Sequence, residues 1–371
     1  MNWLQNGNLA KLVAFFVIAV VITCTVSFAA NGWQSFINAD TSVDTTPDDG
    51  YIIGTMSGEI GNNDKDNTDT LPPAIKFYHS ITGLEVNAEE AMKRPICICI
   101  DSSDPLYGIS SSYLTIEFPT EYGNTRFLCF TDEAKSLGKI GSLAPSRGYV
   151  SNLAAYFGGI LLSYGTDDKF DYSYSEPSFR LDFVATGGYC YTEYTSFVYT
   201  NGDLVGAFLN NTQVNQTLSD SIPLPYYFPD EVIKINLYGG SAQSVFIPFS
   251  DSSTSQLNYI TSENTYVLTK NSASKNDLIN DKPLKYDNVF VLYADSTTYE
   301  TERDTQLILN TDTKGSGIYA SGGRYIDITW ERDTAGNLVF FNSEGERLTV
   351  SRGTSYIAFA KASSKSLVKI S

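Results

Sequence analysis

Arg94–Asp101 reads RPICICID, with every residue from Ile96 to Ile100 apolar and an aspartate closing the run. A run this short and continuous, bounded by a proline, predicts a strand covered on both faces, not the face of a surface helix. Cys97 and Cys99 then point the same way and diverge from disulfide geometry, so they cannot easily bridge each other. Together with Cys129 and Cys190 they read as buried small hydrophobes, with one disulfide as the alternative. Working downstream, YLTIEF (113–118) and TRFLCF (125–130) predict strands on either side of a Gly123-Asn124 turn. SRGYVSNLAAYFG (146–158) reads as a helix entered from a Gly/Ser/Pro loop, and GILLSYG (159–165) as another buried strand. Strand, helix and strand in that order favour an α/β core.

Beyond about Asp230 the signals are nearly all strand. VIKINLY, SVFIPF, TYVLTK, NVFVLYAD, TQLILN, YIDITWE, NLVFFN, RLTV and SYIAFA recur between turns, with SGGRY and NSEGER as hairpin connections. Trp330 and Phe341 are expected to fill the core of a small antiparallel sheet or barrel. The fold class is therefore α+β: an N-terminal α/β domain (74–229), then a mostly antiparallel β domain (230–361) and a mildly basic tail (362–371). An apolar helix (1–30) and a disordered tether (31–73) precede them.

The apolar segment is Leu12–Ala30, LVAFFVIAVVITCTVSFAA, which holds no charge and follows Lys11. It is long enough to span a bilayer and also ends in the small residues of a secretion signal, with Ser27 and Ala29 placed for cleavage after Ala29. Either reading puts the rest of the chain outside the cell, attached to the membrane through residues 12–30 or secreted if cleaved. Cys24 suggests lipid attachment as a third route, but the preceding VIT lacks the small residues usual there. The tether carries NADTSVDTTPDDG and GNNDKDNTDTLPP, polar and acidic stretches too poor in apolar residues to offset the entropy of ordering. NNDKDNTD is a solvated linker and not a calcium loop, since it lacks the required glycine and distal glutamate.

Composition narrows the chemistry. The chain has 371 residues, 42% of them hydrophobic, and a formal net charge of −17, which argues against nucleic acid as a partner. His79 is the single histidine, so His-based triads and multi-histidine metal sites lack their parts; it is expected at the surface. No cofactor or metal is expected. Asp167, Asp168 and Asp171 read as an acidic surface loop, and the tyrosines of GYCYTEYTSFVY as strand packing instead of a glycan platform.

Several segments carry a family resemblance: ITGLEVNAEEAMKRPICICID (81–101), EFPTEYGNTRFLCF (117–130), KIGSLAPSRGYVSNLAAYFGGILLSYG (139–165) and VYTNGDLVGAF (198–208). In the second half PLKYDNVFVLYAD (283–295), KGSGIYASGGRYIDITWERD (314–333) and FFNSEGERLTVSRGTSYIAF (340–359) continue it. In order and spacing they resemble the YerB-like lipoproteins of the Gram-positive envelope. The resemblance implies export, membrane attachment and two domains, and brings no settled activity. Glu117, Glu121, Gly123, Thr125, Arg126 and Phe127 match its strand-turn-strand, and Arg147 the second arginine of its Gly-Pro-Val-Arg-Ser-Ala-Arg loop. Tyr113, Ala144, Asn152 and Ser163 stand where the family has aspartate, arginine, aspartate and histidine. EYTSF (193–197) replaces its Lys-Ala-Pro-His-Asn run.

The candidate ligand-binding residues are thus Glu117, Glu121, Arg126 and Arg147; no catalytic residue is assigned. Glu121 and Arg126 are expected to pair across the turn, as a charge-assisted bridge does. Arg147 enters a helix start, where backbone donors favour an anion. The leading function is a membrane-tethered binding or scaffold protein outside the cell, working through an envelope protein or wall component. The alternative is an envelope enzyme on glycan or peptide substrates using the same Glu/Arg set.

Overall fold

A computed structural model describes residues 75–103, 105–165, 179–180, 188–194, 196–218, 222–300 and 305–371. The apolar segment 12–30, Cys24, the tether up to residue 74 and the Asp167, Asp168 and Asp171 loop lie outside the described residues. Among the described residues strand dominates, and the three α-helices are Ala88–Ala91, Gly148–Ala155 and Gly202–Thr212. Among the described residues, no helix is long and apolar enough to cross a membrane.

The centre is an eleven-stranded mixed sheet. Its order is Gly240–Ser241, Arg324–Arg332, Lys314–Ser321, Asn288–Ala294, Ser355–Lys361, Leu114–Pro119, Thr125–Thr131, Ile96–Asp101, Ile160–Ser163 and Phe179–Arg180, with Leu338–Phe341 added beside Arg324–Arg332. Ile96–Asp101 is the strand expected from its composition. Ile96, Ile98 and Ile100 enter one core, Cys97 and Cys99 the other, and all five are buried. Its neighbour Thr125–Thr131 is antiparallel and Ile160–Ser163 is parallel, so the α/β layering expected here amounts to a mixed sheet with few helices.

This sheet does not stop near residue 230. Ser355–Lys361 lies parallel to Leu114–Pro119 on one side and to Asn288–Ala294 on the other. Strands from both halves of the sequence therefore share one hydrogen-bonded layer. Over one face lie the helix Gly148–Ala155, through Val150 and Leu153, with Phe157 just beyond its end, and the aromatic cluster of Trp330, Phe290 and Phe340. Phe340 is fully buried, whereas Phe341, expected in the core, is only half-buried. Gly315, in register with Trp330, leaves room for the indole, since a Cβ there would meet its Nε1 at 2.6 Å.

On the other face the core includes Val205, Phe208 and Leu209 of the helix Gly202–Thr212 and a six-stranded antiparallel sheet. That smaller sheet is built on Ser244–Pro248, Thr254–Ile260 and Thr265–Lys270. Thr265–Lys270 alternates half-buried and buried positions, the period of a strand with one covered face. The SGGRY connection is a two-residue hairpin turn, with φ +61° at Gly322 and +73° at Gly323, values that favour glycine. Two expected strands are absent: Val232–Tyr238 has no strand partner, and Arg347–Val350 joins its neighbours only through isolated bridges. Residues 362–371, expected as a tail, form a 3-10 turn and the strand Lys369–Ile370, which pairs with Val245 and Phe246.

Candidate functional site

Leu114–Pro119 and Thr125–Thr131 pair antiparallel around the turn Glu121–Gly123. The turn is tight: Tyr122 sits at φ 59° and Gly123 at φ 76°, and Ser250 donates to the Gly123 carbonyl at 2.7 Å. A left-handed backbone is unusual for a tyrosine, and Tyr122 is nonetheless 73% exposed.

Beside this turn, Glu121, Arg126 and Arg147 come together. Arg147 caps the start of Gly148–Ala155 and is buried. Its Nη2 bonds Glu121 Oε1, its Nε donates to Glu121 Oε2 at 3.4 Å, and its Nη1 donates to the Ser146 carbonyl at 3.1 Å. Arg126 approaches the same carboxylate only to 3.9 Å. Its Nη1 donates to the Pro145 carbonyl at 2.8 Å, while its buried Nε has no partner among the described residues. The expected Glu121–Arg126 bridge is thus the looser contact, because Arg147 reaches the carboxylate first. Two guanidinium groups share the Glu121 carboxylate, and Asp101 stands in register opposite Arg126 on the neighbouring strand.

Glu117 is elsewhere. It is fully buried, aimed between the large and small sheets. Thr125 Oγ1 donates to its Oε1 at 2.6 Å and Ser255 Oγ to its Oε2 at 2.7 Å; Tyr356 OH bonds Oε2 and Lys270 Nζ bonds Oε1. Lys270 also donates to Ser253 Oγ at 3.0 Å and Ser255 Oγ at 3.3 Å. Sequence reasoning missed Lys270, Ser255 and Tyr356. A signal existed: in TYVLTK, counting by two from Tyr266 and Leu268 puts Lys270 on the buried face.

His79 also departs from expectation, for it is buried. Its Nδ1 accepts the amides of Ile81 at 3.3 Å and Thr82 at 3.2 Å, which leaves the ring proton on Nε2 for Asp132 Oδ2 at 3.1 Å. Tyr113 donates to Asp132 Oδ1 at 2.9 Å, completing a histidine–aspartate–tyrosine brace. Ser163 donates to Ser146 Oγ at 3.2 Å, next to Arg147. Cys97, Cys99 and Cys129 are free thiols without a disulfide, and Cys190 is buried. Burial pushes the Cys99 thiol up to about 11, with Arg126 and Arg147 opposing, and that of Cys129 to about 12. Among the described residues no cluster of histidine, cysteine, aspartate and glutamate is placed to hold a metal ion.

Comparison with known proteins agrees with this layout. Residues 81–203 match the N-terminal domain, and residues 245–357 the C-terminal domain, of a family described as protein of unknown function (DUF3048). The chain belongs to that family. Its structure is similar to the crystal structure of the YerB protein from Bacillus subtilis, with a TM-score of 0.66 and 17% sequence identity over 80% of this chain and 100% of that one. At that identity the likeness is one of fold. No curated protein matches the chain.

Proposed function

We propose that this DUF3048 protein is a binding protein held outside the cell by residues 12–30, displaying its folded part on the acidic tether to capture an anionic group of an envelope partner. The observation that carries the reading is that, among the described residues, Arg126 and Arg147 share the Glu121 carboxylate while Arg126 Nε has no partner. A planar carboxylate or phosphate oxygen pair is the chemistry that a guanidinium fork fits. Tyr122, exposed on left-handed backbone at the adjoining turn, supplies an apolar rim. The absence of charge from Leu12 to Ala30 supports the location.

An enzymatic role for the Glu/Arg set is less well supported, because Glu117 is sealed between sheets and Glu121 is engaged by Arg147. Acid/base chemistry needs carboxylates in separate environments with access to a substrate. The test pairs location with recognition. Protease added to wall-stripped cells should digest the domains, and in-cell crosslinking should recover a membrane or wall partner. Arg126→Lys keeps the charge and loses the fork, so partner recovery should drop several-fold in a protein that still unfolds cooperatively. Protected domains would refute the location, and full recovery from both Arg126→Lys and Arg147→Lys would refute the site.

A further inference from the structure

The Glu117–Lys270 ion pair sets an amine and a carboxyl group in direct contact inside the protein. Both side chains are enclosed: Glu117 is 0% and Lys270 2% exposed. Hydroxyls of Thr125, Ser253, Ser255 and Tyr356 bond the pair, and aromatic rings close around it, with the Phe249 ring 5.2 Å from Lys270 Nζ and Tyr286 tilted against Tyr356 at 5.4 Å between centroids. For the pair to react, one proton must first pass from the ammonium to the carboxylate. That transfer leaves a neutral amine, which is a nucleophile, against a neutral carboxylic acid. Water is excluded, and the two groups are held together by adjacent sheets, the condition under which intramolecular reactions gain most.

We propose that Lys270 and Glu117 condense into an intramolecular isopeptide bond that joins the large sheet to the small one. The Nζ lone pair attacks Cδ of Glu117 and forms the C–N bond. Negative charge then develops on Oε2, where Ser255 Oγ and Tyr356 OH already donate. Oε1, carrying the proton received from Nζ, leaves as water when the C–O bond breaks. Its second proton comes from the attacking nitrogen, for which Ser253 and Ser255 at 3.0 and 3.3 Å provide a relay. One carboxylate and one ammonium become one amide and one water; no oxidant, metal or co-reactant enters. Burial keeps Tyr356 well above the usual phenol range, with the Glu117 charge adding to the effect, so its hydroxyl stays a donor throughout. The bond would tie Leu114–Pro119 to Thr265–Lys270, two strands that share no backbone pairing, in a protein whose proposed location lacks chaperones driven by nucleotide hydrolysis.

The test is a tryptic map of the purified full-length protein, denatured before digestion. The expected result is a branched peptide that joins the segment containing Glu117 to the one containing Lys270, lighter than their sum by one water, with no cleavage after Lys270. The same digest of Lys270→Arg should yield only linear peptides. Because the decisive reading is made on the wild-type chain, it does not depend on a variant folding. Complete cleavage after Lys270 with both segments linear, or a branched peptide that persists in Lys270→Arg, would overturn the proposal.

Discussion

At the scale of single residues, the chain's polar groups divide between those that hold the fold and those left with capacity to spare. Glu121 is the hinge of that division. Among the described residues its carboxylate is the acidic group bridged to both Arg126 and Arg147, whose side chains are nearly buried. Replacing it with alanine should cost about 3 kcal/mol in urea unfolding, because it strands two cations in a poorly hydrated place. Added sulfate should restore part of that loss by occupying the vacated position; an unchanged stability would mean that the arginines are well solvated. The thiols give a second expectation. Cys97 is held well above its ordinary 9.0, and Cys99 and Cys129 near 11 and 12, in each case mainly by burial. A raised acid pKa favours the protonated form in the folded state, so this contribution is complete below about pH 9 and is lost as pH rises past it, at up to about 1.4 kcal/mol per pH unit for each thiol. Iodoacetamide at about pH 8 should label these three only after denaturation, and the melting temperature should fall from about pH 9 upward; rapid native labelling would contradict the burial. Residue types and approximate positions of this chemistry were legible in the sequence. Partner choice was not, since Arg147 and Lys270 reach their carboxylates only through tertiary packing.

Secondary elements with a long local pattern were the most readable. Ile96–Asp101, the Glu121 hairpin, the helix Gly148–Ala155 and the alternating strands of the small sheet all follow from periodicity and turn chemistry. Val232–Tyr238 shows the limit of such signals: its alternation is good, yet Val232, Ile233 and Tyr238 are exposed and no strand pairs with it. A strand needs a partner edge as well as a pattern. The C-terminus shows the converse. KASSKSLVKIS offers only Val368 and Ile370 as spaced apolar residues, too few to count as a period, but both pack on the core beside Val245 and Phe246. Gln243 N and Ser244 N donate to the Ser371 carbonyl at 2.5 and 3.1 Å, and Ser371 N returns a bond to Ser244 at 3.1 Å. Ending the chain at Leu367 should therefore cost roughly 2–3 kcal/mol, from two aliphatic side chains and the lost edge pairing. Urea unfolding of the truncated protein checks this, and a loss below half a kilocalorie would restore the reading of a free tail.

For the whole molecule, the consequential feature is that two sequence domains of one family build a single sheet. Parallel neighbours such as Leu114–Pro119 and Ser355–Lys361 need no turn between them, so nothing local in the sequence announces the pairing. Composition and patterning could place strands in each half but could not say that the halves interlock. Energetically the interlock removes the independence of the parts. Leu114, Ile116, Ile357 and Phe359 are all fully buried in the same core, and Glu117 meets Ser255, Lys270 and Tyr356 across the sheets. Residues 74–229 alone would present the edge of Leu114–Pro119 without its neighbour, an open strand of apolar residues prone to association. Residues 230–371 alone would lose the same contacts from the other side. The expectation is one cooperative transition for the folded part, with calorimetric and van't Hoff enthalpies in agreement, and coincident unfolding followed by Trp330 fluorescence and by far-ultraviolet circular dichroism. Each half expressed separately should aggregate or remain unfolded. Two resolved transitions, or a soluble half with native-like dispersion in its amide spectrum, would show that the shared sheet is a late docking of independent domains and not the frame on which both are built.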